Sequence, residues 1–194
     1  MQLAAHLCGT RVNEVLNGDD DFLSTLPPLG FKRVQINATE INGVDTSKLK
    51  ESVPSLIALM KKYESSLEFI IQKNEETKPL WNGLIQTYDS MFPKNVTMLV
   101  DESKGTGVLA SSWPSPPKEY NIGFAGGIGP KNVKSVLQNL LKSTSEGDRT
   151  FWIDMESSLR SNKDGIDIFD LDKCYKCIEI VCDMNLKQHP SFLV

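Results

Sequence analysis

The sequence predicts an α/β protein in which parallel strands alternate with helices through a single domain, residues 1–194. Three observations predict it. Short apolar runs recur six times, each followed by a segment with helical spacing. The runs are largely continuous, as strands become when helices cover the sheet. No low-complexity linker divides the 194 residues, a length that favours one domain.

The elements follow in order. "LAAHLC" (3–8) is a short apolar run, and "RVNEVLNG" behind it has helical spacing and a terminal glycine. "FKRVQINA" (31–38) is the next strand. In the segment after it, Ser47 can cap a helix whose face carries Leu49, Val53, Leu56, Ile57 and Met60. Pro54 interrupts that pattern, so a kink or a late helix start is expected. "LEFIIQKN" (67–74) precedes a helix with Leu80, Leu84, Ile85 and Tyr88 in phase. "NVTMLVDES" (95–103) is a strand, followed through Pro117 by a loop rich in Gly, Ser and Pro, which is expected to be functional rather than a boundary. "EYNIGFAGG" (119–127) leads into a helix begun by Pro130, a favoured first-turn residue. "RTFWIDMES" (149–157) is the last strand and "IFDLDKCYKCIEIVCDM" the last helix. Repeated βα units of this kind make a parallel sheet with right-handed crossovers, either open and doubly wound or closed into a barrel.

Charge and composition exclude several functions. A net charge of −4 and the lack of a basic run argue against nucleic acid as a partner. No apolar run is long enough to span a membrane, and "MQLAAHLCGTR" lacks the basic region of a secretory signal, so a cytoplasmic location is expected. The four cysteines do not form a disulfide framework, because Cys174, Cys177 and Cys182 crowd one helix; reduced thiols are the simpler reading. "CYKC" has no second ligand pair to complete a zinc site. Its two cysteines fall at helical spacing with Leu171 and Val181, which favours packing over redox or metal roles. No metal and no cofactor are expected.

In both architectures function gathers beyond the C-terminal ends of the strands. Those ends carry His6 and Cys8, Gln35 and Asn37, Gln72 and Asn74, Asp101 and Ser103, Gly126 and Gly127, and Asp154 and Glu156. Any one of them can simply cap a strand, but the joint set points to a binding site at that rim. "AGGIGPKN" joins a strand to a helix N-terminus, where glycines let backbone N–H groups approach an anion; the alternative is a tight turn that needs glycine for itself. Asp101 closes an apolar strand before the flexible Gly105–Gly107 segment, and can serve as a general acid or base or can order the turn. In "FWIDMESSLRS", Ser157, Ser158 and Arg160 are suited to a phosphate, with Arg160 able to pair instead with Glu156.

"LVDESKGTGVLASSW", "GFAGGIGPKNV" and "IDMESSLRSNKDG", in that order, together with "RVQINATE", resemble phosphoribosylanthranilate isomerase of tryptophan biosynthesis. The resemblance runs from about residue 31 to the last helix. It implies a TIM-barrel type of fold, an eight-stranded β/α barrel of which six βα units are seen. It implies a phosphorylated small molecule as ligand, held by Gly126, Gly127, Ser157 and Ser158, with Arg160 and the Gly105 and Gly107 loop beside them. It also implies Asp101 as the general acid of an Amadori rearrangement, which opens a ribosylamine to a ketose while a base removes the proton at C2.

The chain departs from that family in several places. Counted backward from the last strand, "LAAHLCG" takes the third strand, so the first two units and the family's cysteine base are absent. A rival registration sets "HLCGTR" on the family's "KICG" motif and makes Cys8 the base, but strand order disfavours it. The sequence does not rank His6 over Cys8. Glu156 beside a phosphate would repel it unless a cation offsets the charge. A start directly before a strand suggests a shortened chain, and the exposed barrel edges of six units suggest cover by a homodimer or by further sequence. Three functions follow: a phosphosugar isomerase-like barrel protein, a non-catalytic, ligand-binding or regulatory descendant of the same barrel, or a reaction of the same barrel class with another acid–base set, using His6, Cys8, Asp101 and Asp154.

Overall fold

A computed structural model describes residues 3–88, 92–101, 103, 109, 121–144 and 150–186. Six strands form one parallel sheet: β1 (Leu3–Leu7), β2 (Phe31–Ile36), β3 (Glu68–Lys73), β4 (Val96–Val100), β5 (Asn121–Phe124) and β6 (Phe151–Ile153). Their order in space is their order in sequence. That order makes a singly wound, curled sheet, a half-barrel, and not a doubly wound one. Between and after the strands come α1 (Gly9–Leu16), α2 (Asp21–Thr25), α3 (Val53–Lys62), α4 (Lys78–Tyr88), α5 (Val133–Thr144) and α6 (Leu171–Asp183).

The alternation of strand residues separates two faces. Val34, Ile36, Phe69, Ile71, Val96, Met98, Val100, Ile122 and Phe124 meet the helices in the main core, with Val12, Leu56, Met60, Leu80, Trp81, Val136 and Leu140. Arg33, Gln35, Glu68, Ile70, Gln72, Thr97, Leu99, Gly123 and Trp152 occupy the other, concave face. There the apolar contact is small: Ile70, Leu99 and Ala125, covered by Trp152. A Cβ on Gly123 would lie 2.4 Å from the Trp152 ring, so glycine is what lets the indole lie flat across β5. Deeper along that face, Arg33 Nε pairs with Glu68 Oε2 at 2.7 Å, and Thr97 donates to the other Glu68 oxygen.

Several expected boundaries shift for identifiable reasons. The helix predicted from Ser47 begins at Val53, with Pro54 in its first turn, where a missing N–H costs nothing. Ser47 instead belongs to a 3-10 turn, Thr46–Lys48, capped by Asp45. Pro130 lies in a turn, and α5 starts only at Val133, whose N–H bonds Gly129 O at 2.9 Å. The last helix starts at Leu171, since Ile168 and Phe169 belong to an antiparallel hairpin of β7 (Arg160–Lys163) and β8 (Ile166–Phe169). Asp164 (φ 54°) and Gly165 (φ 82°) make its turn. Asp170 then caps α6, accepting from Asp172 N at 3.1 Å and Lys173 N at 3.3 Å.

Candidate functional site

All six strands end at one rim, and backbone bonding continues one rung beyond them. Asn37 N donates to Leu7 O (3.4 Å), Asp101 N to Lys73 O (3.1 Å), Ala125 N to Val100 O (2.9 Å) and Asp154 N to Phe124 O (2.8 Å). This extra rung fixes where the polar strand-end residues sit.

Asp101 is buried, 6% exposed, yet its carboxylate is well solvated by protein. Oδ2 accepts from Gln72 Nε2 at 2.7 Å. Oδ1 accepts from Ser103 N at 3.1 Å and Ser103 Oγ at 2.5 Å. Because the Gln72 amide turns its NH2 toward a carboxylate, its Oε1 faces away, buried and without a hydrogen-bond partner. Such a group costs about 1–3 kcal/mol unless a donor reaches it.

The glycine loop meets this carboxylate directly. Gly126 has φ +108°, and a Cβ there would stand 3.0 Å from Asp101 Oδ1 and 3.3 Å from Ser103 Cβ. Gly127, at φ +63°, completes the bend. Gly129 answers a different need: a Cβ there would stand 2.5 Å from Ser158 Cβ, in the 3-10 turn Ser157–Leu159. Asn132 ties the loop, accepting from Gly129 N at 2.8 Å and donating to Gly127 O at 2.9 Å. The glycines therefore serve close approach, but part of that approach is by the protein's own chain.

The rim also carries charge. Burial pushes the Asp154 carboxyl above its ordinary value; the nearby His6 opposes this, while Glu156 and Asp101 add to it. Groups on β1 and beyond β6 thus act on one another across the curl, although those strands share no hydrogen bond. Cys8 is likewise pushed up, by burial of its thiol and then by Glu156. Its Sγ lies 3.6 Å from Asn42 Oδ1, a contact that the protonated thiol makes as donor. His6 faces the open interior, its Nε2 against the Asn37 side-chain amide, and Gln35 Nε2 donates to Asn37 Oδ1 at 3.1 Å.

The structure thus brings together Asp101, Gly126, Gly127, Ser157, Ser158, His6, Cys8 and Asp154 at one rim. Arg160 lies on β7, pairing with Asp167 Oδ2 at 2.7 Å, and not with Glu156. Gly105 and Gly107 lie outside the described residues. Gln72 stands among the polar strand ends read from the sequence, and the structure adds its bond to Asp101; Asn132 has a role in holding the glycine loop that no motif in the sequence announces. Among the described residues no group of three or more His, Cys, Asp or Glu side chains is placed to hold a metal ion, and no helix is long and apolar enough to cross a membrane. No family model, curated protein or solved structure matches the chain.

Proposed function

We propose that the protein is a phosphosugar isomerase-like member of the TIM-barrel type, acting by Amadori rearrangement on a phosphorylated ribosylamine. The observation that carries this reading is the packing of Asp101 against Gly126 and of Ser158 against Gly129. An acid, a glycine bend ahead of α5 and a serine turn meet at one rim, as a phosphosugar site requires. In this reading the ligand phosphate lies between the Gly126–Gly127 bend and Ser157–Ser158. Asp101 protonates the ring oxygen, the C1–O bond opens, and an iminium forms at C1. As a TIM-type barrel the sheet takes two more strands between β6 and β1, or a second copy of the chain covers those edges.

The second reading, a ligand-binding descendant without turnover, is favoured by a specific feature. Gly129 N–H is already taken by Asn132, and Ser158 fills the space over Gly129. Both lessen the room and the donors left for a phosphate.

One assay separates the two. Purified protein is incubated with phosphoribosylanthranilate, and anthranilate fluorescence is followed. The first reading expects turnover that falls at least about 100-fold in Asp101→Asn. Stabilisation by ribose 5-phosphate without turnover establishes the second. Turnover indifferent to Asp101→Asn sinks the assignment of the acid.

A further inference from the structure

The proposed rearrangement needs a group that takes the C2 proton, and His6 on β1 and Cys8 just beyond its end stand two residues apart at the rim. We infer that His6 is that group, that Nδ1 is its exchanging atom, and that Gln35 and Asn37 are positioning residues for its ring; this rests on the phosphosugar reading above.

Chemistry separates the two side chains. The Cys8 thiol donates toward Asn42 Oδ1, a contact the thiolate would lose. Burial and Glu156 both favour keeping it protonated, so little nucleophilic or basic thiolate forms. His6 instead offers an imidazole, whose ring nitrogens can take a proton and return it.

The surroundings of His6 are built for the task. Asn37 is buried, 5% exposed, while His6 itself opens to the concave interior. Since Asn37 Oδ1 accepts from Gln35, its amide nitrogen donates to His6 Nε2. The proton of the neutral ring then sits on Nδ1. Turning both amides end for end reverses the chain: Asn37 Oδ1 accepts from Nε2–H, and Nδ1 is left bare. Nε2 is anchored in either tautomer, and proton exchange falls to Nδ1. The titratable groups that share this space are Cys8, Asp101, Asp154 and Glu156. Of these, Asp154 already responds to the positive charge of His6, and the carboxylates stabilise the imidazolium that forms.

The step balances. After ring opening, the C2–H bond breaks and its proton passes to Nδ1. The electron pair forms C1=C2 as the C1=N pair returns to nitrogen. The proton on Nδ1 then adds to C1, C2 becomes the ketone carbon, and the proton lost from the 2-hydroxyl restores Asp101.

Ring nitrogen NMR tests this in the full chain. The chain has two histidines, His6 and His189, so His6→Asn assigns the spectrum. Saturation with ribose 5-phosphate is expected to move the His6 Nδ1 resonance. His6→Asn is expected to slow conversion of phosphoribosylanthranilate about 100-fold or more and to remove one limb of the pH profile. Binding of ribose 5-phosphate, read as a rise in Tm, with unaltered His6 resonances overturns the inference alone. So does a Cys8→Ser variant that loses conversion while His6→Asn retains it. Neither binding nor conversion removes the phosphosugar reading itself, and this inference with it.

Discussion

The two faces of the sheet use the same strands for opposite ends. Toward the helices, each strand contributes fully buried Val, Ile, Phe or Met side chains to one continuous core. Toward the concave side, the same strands offer Gln35, Gln72 and Asp101, and only Ile70, Leu99 and Ala125 cluster under Trp152. Apolar burial is worth about 25 cal/mol per Å2, so stability resides mainly on the convex side. The concave side holds buried polar groups, some satisfied, as Asp101 is, and some not, as with Gln72 Oε1. One face folds the chain, and the other carries the polar rim.

The largest expected effect tests that division outright. Phe69 is fully buried against the helices, and Phe69→Ala is expected to lose about 3–5 kcal/mol in urea unfolding. Trp152→Ala, on the concave face and half-buried, is expected to lose less than Phe69→Ala. Equal losses break the comparison. Next comes Gly123→Ala, whose Cβ would meet the Trp152 ring at 2.4 Å. Overpacking of this kind costs about 1–3 kcal/mol. Combining it with Trp152→Ala should recover most of that loss, because the clash is then gone; an additive double mutant contradicts the contact.

Carboxylates on the two sides should respond to pH with opposite sign. On the helix side, Asp20 is held below its ordinary value by Lys62 (2.5 Å) and Tyr63 (2.6 Å); the same contact, with burial as the first cause, pushes the Tyr63 hydroxyl up to about 12. A depressed carboxyl stabilises the fold fully above the ordinary value of 3.8, and that gain is lost as pH falls through the depressed value. Asp154 is raised, chiefly by burial. Its ionisation costs stability at neutral pH, and the cost disappears as pH falls to the ordinary value. Asp20→Asn should therefore be less stable than the wild type at pH 7, and Asp154→Asn more stable. Both differences should shrink in acid. Urea midpoints measured across that range decide it, and equal signs for the two variants contradict the assignment.

The sequence shows these faces unequally. Continuous apolar runs announce β3 and β4, and their polar ends point to Asp101 and Gln72, because strand geometry is local. The Gly126 bend was legible as a need for positive φ or close approach. That Ser158 is what approaches Gly129 was not, since the contact joins segments about thirty residues apart. The hairpin was hidden for another reason. Ile166, Ile168 and Phe169 lie close before Leu171 and so extend a helical pattern, while four-residue strands with both faces mostly exposed carry no periodicity of their own. Only Asp164–Gly165, a dipeptide suited to a tight turn, marked it.

The smallest effect expected is at Arg160, and it bears on whether the hairpin belongs to the concave site. Its guanidinium pairs with Asp167, both side chains being well exposed at 40% and 65%. Exposed ion pairs contribute about 0–1 kcal/mol. Hairpin register is also held by backbone pairing from Arg160–Phe169 to Lys163–Ile166 and by Ser161 Oγ on Asp170 Oδ2 at 2.5 Å. Arg160→Ala should thus shift the unfolding midpoint little. If the arginine also reaches a bound phosphate, the same variant should weaken ribose 5-phosphate binding by far more than it weakens the fold. Titration at two salt concentrations reads this difference, because a charge contact to phosphate fades with salt while the fold's midpoint hardly moves. Unchanged affinity leaves Arg160 as a pin of the hairpin and restricts the proposed phosphate site to the glycine bend and the serine turn.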